Sequence, residues 1–256
     1  MKLREKSLYC DKGHCYDLSK QGYVNLLQNG GSHGDNRAMV KARKDFLSFD
    51  FYRPLADKLS KLICANAENG YTLLDCGCGD GYYTRAVEEK LAESNIAHRI
   101  FAVDVSKDAC GYCARAVKSA NVAVASVYAL PIEDKSVDIV FTLFAPSAPG
   151  EYSRVLKNDG LVFMVIPGEN HLFGLKKTVY KSPYKNEVSP FELEGFNFVE
   201  NHNICYEITL DKEQTNMLFA MTPYFYNTPR DGAQKLAEIS SLTTVCEFEI
   251  VIFRKK

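Results

Sequence analysis

The sequence predicts an α/β protein built on a doubly wound, mostly parallel sheet. Three observations carry that prediction. Short apolar runs alternate with helix-length segments from about residue 70, glycines at alternate positions close the first strand, and an acidic residue ends the second.

Taken in order, TLLDCG is the first buried strand and YYTRAVEEKLAES the helix behind it; RIFAVDV is the second strand, followed by a helix rich in Lys and Ala. AVASV, VDIVFTLF and GLVFMVI continue the sheet, and buried strands spaced by helices imply parallel βαβ units. ICYEITL and CEFEIVIF then read as a closing antiparallel pair with the helix DKEQTNMLFAM between them. The first sixty residues differ. They hold a Cys/His turn, the loop QNGGSHGDN, the helical run RAMVKARKDFLSF and a second helix from near Pro54. The expected division is therefore an N-terminal recognition region over 1–60 and a sheet domain over 61–256.

A chain of 256 residues, 46% hydrophobic and 25% charged, has room for one large core. No stretch approaches the roughly 18 apolar residues of a membrane span, and MKLREKSLYC lacks the apolar run of a signal peptide. A membrane partner is thus excluded and a cytoplasmic location expected. Nine cysteines, an odd number, point to reduced thiols rather than a disulfide framework. The net charge of -1 conceals an asymmetry: residues 1–64 carry 12 Lys or Arg against 7 Asp or Glu, leaving 19 against 25 in the remainder. A basic first quarter suits a polyanion, whereas the acidic body suits a cationic or neutral ligand.

The chemistry concentrates in LLDCGCGDGYYTRAV, where Gly77, Gly79 and Gly81 follow a strand and open a helix. Glycines let the backbone turn sharply and approach a ligand, and the helix start offers free N–H groups. The dinucleotide fingerprint G-x-G-x-x-G holds a pyrophosphate; here the third glycine comes one place early, and Asp75 and Asp80 flank the loop. Two carboxylates repel a pyrophosphate but suit the ammonium and sulfonium charges of S-adenosylmethionine. The methyl donor is therefore expected, and the sheet becomes a Rossmann-like class I S-adenosylmethionine methyltransferase sheet.

Asp104, 27 residues after Gly77 and followed by Val105, stands where a carboxylate accepts both ribose hydroxyls. Ser126 and Val127 follow the third strand, where the edge of an adenine is met, and Ala145 and Pro146 follow the fourth, where the target pocket is lined. Tyr82 and Tyr83 are placed to pack on a sulfonium, one of them at a core position. CGYC, from Cys110 to Cys113, lies within a helix and reads as packing rather than as a metal or redox pair.

GYVNLL, GDNRAMVKARKDFL, FYRPLADKL, LLDCGCGDGYYT, AVDVSK, FAPSAPGEYSRVLKNDG, IPGENHLFGLKKTVY and AMTPY, in that order, resemble the bacterial 23S rRNA guanine-N1 methyltransferases of the RlmA type over nearly the whole chain. The resemblance implies a methyltransferase domain, an N-terminal zinc-binding domain that helps grip a 23S rRNA hairpin, and a homodimer. Carried over by position, it implies that Tyr52, Asp80, Gly81, Tyr82 and His171 contact S-adenosylmethionine, with Asp104 on the ribose. Asp35, Arg37 and Arg43 become candidates for the RNA-facing surface.

The departure concerns the metal. The family pattern has C-x2-C before C-x3-H, and a structural zinc takes four ligands. Here Cys10 and His14 match the second pair only, within a truncated finger-like segment over about 1–30, and Cys15, next to His14, is poorly placed to chelate the same ion. The expectation is a residual half-site without stable zinc, either a remnant or the end of a module that continues upstream.

The function expected is methyl transfer to N1 of a guanine in 23S rRNA. The alternatives are a small-molecule S-adenosylmethionine methyltransferase, or a catalytically silent RNA-binding or assembly protein that kept the fold.

Overall fold

The computed structural model describes residues 2–10, 12–27, 35–188 and 190–256. Most of the loop QNGGSHGDN, residues 28–34, lies outside the described residues.

The N-terminal segment forms a three-stranded antiparallel sheet, β1 (Lys2–Arg4), β2 (Ser7–Tyr9) and β3 (Cys15–Asp17), with Ser7 donating to Asp17 across it at 2.6 Å. The next strand, β4 (Tyr23–Asn25), leaves that sheet and runs parallel to a strand of the main one. Its sequence, YVN, carries no such signal, because three residues are too few to show a period.

Two helices follow. In α1 (Arg37–Leu47) the Asn36 side chain caps the start by accepting from Met39 N–H at 3.0 Å, and α2 (Arg53–Ala65) carries a proline in its first turn. Then come β5 (Tyr71–Cys76), α3 (Tyr82–Glu93), β6 (His98–Asp104), α4 (Lys107–Ala116), β7 (Asn121–Val124), β8 (Val137–Leu143), α5 (Pro149–Val155) and β9 (Leu156–Pro167). The C-terminal part contains α6 (Phe173–Val179), β10 (Phe196–Asp211), α7 (Lys212–Ala220), α8 (Tyr224–Asn227), α9 (Arg230–Glu238) and β11 (Ser241–Lys255). A capping box between Asp211 and Gln214 stops β10 and starts α7.

The main sheet has eight strands in the order β10-β11-β9-β8-β5-β6-β7-β4. It is parallel from β9 to β4, while β11 runs antiparallel between β9 and β10. This is the expected α/β class with its closing antiparallel pair. Because β5 pairs with β6 on one side and β8 on the other, the chain reverses its winding there. Such a switch opens a crevice beyond the carboxyl ends of the strands, where ligands of open α/β sheets bind.

Alternating residues feed two cores. Leu73, Ile139, Phe141 and Phe163 face α1, α2 and α3, while Leu74, Val140 and Val162 face Tyr152 of α5. Phe46, Leu55 and Leu59 are fully buried in the first core, each contributing roughly 1.5–3 kcal/mol. The boundary expected after residue 60 therefore falls inside α2, and the sheet's core reaches back to Phe46. Among the described residues no helix is long and apolar enough to cross a membrane.

Candidate active site

The crevice is walled by four strand ends. β5 delivers Asp75 and the glycine loop, β6 delivers Asp104 and then Val105, β7 leads to Ser126 and Val127, and β8 leads to Phe144 and Ala145. Gly77 and Gly81 have φ of 87° and 86°, a left-handed conformation that side chains resist. A Cβ on Gly77 would also sit 2.5 Å from the Ala145 Cβ, and one on Gly81 2.8 Å from the Cys113 backbone. The loop is held this tightly by β8 in front and α4 behind. At Gly79 a Cβ would meet nothing within 4 Å.

Asp104 fixes the loop from the neighbouring strand. Its Oδ2 accepts from Gly79 N–H at 3.0 Å and its Oδ1 from Ser106 N–H at 2.8 Å. A carboxylate oxygen has two acceptor positions, so each retains one for a ligand hydroxyl. Burial raises the Asp104 pKa, and the two backbone donors pull it back down. Val105 is half-buried, Val127 is buried, and the Ser126 hydroxyl accepts from Tyr128 N–H at 3.2 Å.

Asp75 is buried, with Oδ2 accepting from the Thr84 hydroxyl at 2.6 Å and Oδ1 lacking a hydrogen-bond partner among the described residues. Burial pushes its pKa up to about 7 against the lowering effect of Thr84. The Tyr83 hydroxyl is likewise buried without a hydrogen-bond partner among the described residues. An orphaned carboxylate oxygen and carboxylates at Asp80 and Asp104 form a donor-poor, acidic cradle. It fits a cationic nucleoside bearing ribose hydroxyls and an ammonium, as S-adenosylmethionine does. Asp80 is also raised by burial, opposed by the Tyr82 N–H and by Arg43.

Tyr82 is buried and donates its hydroxyl to Asp50 Oδ1 at 3.0 Å, reaching the turn that leads to Tyr52. Tyr52, 3% exposed, packs its ring edge-on to Phe248 at 5.0 Å and lies 6.2 Å from the ring of His171. His171 in turn lies 4.6 Å from Phe248 and nearly parallel to Phe144. Its Nδ1 accepts from the Glu247 backbone N–H at 3.3 Å, which leaves the proton of the neutral ring on Nε2. Burial, helped by the nearby Lys176, lowers the His171 pKa to about 3. Burial thus favours the neutral ring, with its N–H donor at Nε2.

Phe144, Phe248 and Glu247 escape sequence reasoning. Phe144 stands beside Ala145 and Pro146 but reads as the end of an apolar strand, and Phe248 reads as one of many strand residues. Lys176, in α6, is fully buried. Its Nζ donates to Asn186 Oδ1 at 2.6 Å and lies over the rings of Tyr184 at 4.4 Å and Tyr224 at 5.3 Å, binding HLFGLK to MTPY. Asn186 also donates to the Gly168 carbonyl at 2.8 Å, bracing the His171 loop. Beside it opens a cavity of about 650 Å³ lined by Glu169, Asn186, Glu187, Val188, Glu247 and Glu249. None of the glycine-loop residues lines it, and its carboxylates repel phosphates.

Arg43, a candidate for the RNA-facing surface, ion-pairs with Asp35 and donates to the Met221 carbonyl at 3.3 Å, so it ties α1 to MTPY. Arg37 is exposed at the start of α1. Cys110 and Cys113 are buried in α4 against Cys78, Ala102 and Val124. At the N-terminus the Cys10 Sγ lies 3.3 Å from His14 Nδ1, and Cys15 is exposed with its Sγ 4.0 Å from Asp17 Oδ1. Among the described residues no group of three His, Cys, Asp or Glu is placed to hold a metal ion, and Cys10 and His14 are two ligand-type side chains that approach each other in this segment.

Residues 74–164 match the family profile described as a methyltransferase domain, and residues 1–29 match the one described as RlmA, N-terminal. The chain is 31% identical, over 98% of its length and 92% of the relative's, to a Bacillus subtilis protein named "Putative 23S rRNA (guanine-N(1)-)-methyltransferase YxjB". It is 28% identical, over 96% of its length and 89% of the relative's, to the Streptomyces fradiae protein named 23S rRNA (guanine(748)-N(1))-methyltransferase.

Proposed function

Because the chain belongs to the 23S rRNA (guanine-N1)-methyltransferase family and is an S-adenosylmethionine-dependent methyltransferase, we propose that its acceptor is N1 of a guanine in 23S rRNA. The observation that supports this reading is the meeting of two features at one crevice: the glycine loop clasped by Asp104, and the aromatic wall of Phe144, His171, Phe248 and Tyr52. The first suits a nucleoside methyl donor and the second a planar base.

When bound, S-adenosylmethionine supplies a methyl group on a sulfonium. Gly77, Gly79 and Gly81 would allow close backbone approach, Asp104 would accept from the ribose hydroxyls, and Asp75 and Asp80 would supply negative charge for the donor's cationic end. Val105, Ser126 and Val127 would border the adenine, and Tyr52, Tyr82 and His171 would contact the donor, as the family resemblance implies.

N1 lies on the Watson–Crick edge, so the guanine must leave any helix to reach the crevice. It also carries a proton at neutral pH that must depart as the methyl arrives. His171 does not take that proton, being held as a neutral donor. Holding nucleophile and methyl in attack geometry contributes roughly 7–11 kcal/mol, so positioning is the larger share of the catalysis.

The N-terminal segment and the exposed, basic face of α1 serve RNA recognition in this reading, and the enzyme works in the cytoplasm as a homodimer, as the family resemblance implies. The test is methylation of unmodified 23S rRNA by the purified protein, followed by mass mapping and reverse-transcription stops. A stop at one guanine, dependent on S-adenosylmethionine, is expected. Methylation of small acceptors with none on the rRNA overturns the proposal.

A further inference from the structure

Phe144 is an aromatic side chain left 48% exposed at the lip of a crevice whose other rings are buried. Its backbone has φ of 55°, a left-handed conformation that a bulky residue seldom adopts. Strain of that kind persists only where the surroundings impose it. Here they do: Phe144 N–H donates to the Val165 carbonyl at 3.2 Å, and the next residue, Ala145, presses on Gly77. The strand end is thereby forced to aim the ring outward.

The ring is not isolated. It lies 5.7 Å from Phe248 and 6.5 Å from His171, within 14° of parallel to the imidazole. One face of the cluster is therefore closed by packing, and the outer face of Phe144 is open beside the glycine loop. About half of the Phe144 side chain faces water.

We propose that Phe144 is the platform on which the extruded guanine stacks, setting its plane while N1 is turned toward the methyl donor. This rests on the reading of the acceptor as an unpaired base. Stacking on an aromatic ring favours any base, so the platform supplies affinity and orientation, and the choice of guanine falls to hydrogen-bonding groups on the base edge.

The test compares wild type with Phe144→Asn, Phe144→Ala and Phe144→Trp. Asparagine tolerates the left-handed backbone and lacks the ring, so a defect in Phe144→Asn is not one of backbone strain. Steady-state methylation of the 23S rRNA fragment is measured beside binding of S-adenosylhomocysteine by calorimetry. Phe144→Asn and Phe144→Ala are expected to lose about 5- to 150-fold in kcat/KM for RNA, with cofactor affinity within twofold of wild type and Phe144→Trp retaining activity. An RNA bearing 2-aminopurine at the target position should be quenched on binding to wild type and to Phe144→Trp, and bright on binding to Phe144→Asn. Wild-type kcat/KM in Phe144→Asn overturns the platform and leaves the rRNA reading standing, as does a loss confined to cofactor binding, which would make Phe144 a cofactor wall. Absence of rRNA methylation by the wild type overturns both.

Discussion

The Tyr82 hydroxyl donates to Asp50 Oδ1 at 3.0 Å, so the helix that opens behind the glycine loop is tied to the turn between α1 and α2. Asp50 holds a left-handed φ of 60° two residues before Tyr52, and the bond therefore joins the cofactor loop to the aromatic wall. Removing it with Tyr82→Phe should cost about 0.5–1.5 kcal/mol of stability, because Asp50 is exposed and water replaces the lost donor. Urea unfolding measures this. S-adenosylhomocysteine affinity should fall a few-fold, and unchanged affinity would show that the link is structural only.

Asp104 carries the heaviest expectation for the cofactor. Asp104→Ala removes the acceptor for Gly79 and Ser106 as well as that for the ribose, and each charge-assisted bond is worth about 1.5–3 kcal/mol. The dissociation constant of S-adenosylhomocysteine should rise by at least about tenfold in calorimetry. Wild-type affinity in this variant would sink the ribose assignment.

Asp75 gives a pH dependence whose sign follows from its direction of shift. Its folded pKa, about 7, lies above the ordinary carboxylate value, so between about pH 4 and 7 the folded protein holds a proton that the unfolded chain has released. The stabilisation is complete below that window and is lost as pH rises through 7. Thermal melts of the ligand-free protein across pH 4–8 should show a fall that Asp75→Asn flattens. A cationic ligand favours the ionised carboxylate, so its binding should tighten as pH rises through about 7, again less so in Asp75→Asn.

With His171 lowered to about 3, no limb of the pH–rate profile near pH 6–7 belongs to it. His171→Gln should slow methylation without altering the profile's shape. Loss of a limb in that range on substitution would overturn its assignment as a neutral donor.

On the RNA side, Arg37, Lys41 and Lys44 are exposed cations of α1, Lys41 pairing with Asp45 on the helix surface, whereas the half-buried Arg43 is held by Asp35 and the Met221 carbonyl. Lys41→Ala with Lys44→Ala should weaken RNA binding and reduce the slope of log affinity against log salt by about 2, if each lysine meets one phosphate. Filter binding from low to moderate salt reads this directly. Arg43→Ala should instead lower stability, through the lost tie between α1 and MTPY.

The alternation of strands and helices after residue 70, the glycine loop and the acidic end of the second strand were all legible, since each is written in neighbouring residues. The short β4, the placement of α1 and α2 in the sheet's own core and the outward ring of Phe144 were not. In β4 three residues carry no period, and nothing local in FTLFAP distinguishes a strained ring at a crevice from another buried strand residue. In the sequence Arg43 is one more cation on a basic helix; its bonds to Asp35 and the Met221 carbonyl are tertiary contacts that no local pattern carries.

The sequence by itself determined the α/β class and the glycine loop of a methyl-donor fold, because period and spacing are local properties. Only the tertiary structure decided that Tyr52, Phe144, His171 and Phe248, from four distant segments, share one wall, and that the Glu247 N–H fixes the His171 tautomer. The physical reason is β11. Running antiparallel between β9 and β10, it carries Phe248 and Glu247 back across the sheet to the crevice, a pairing set by long-range packing.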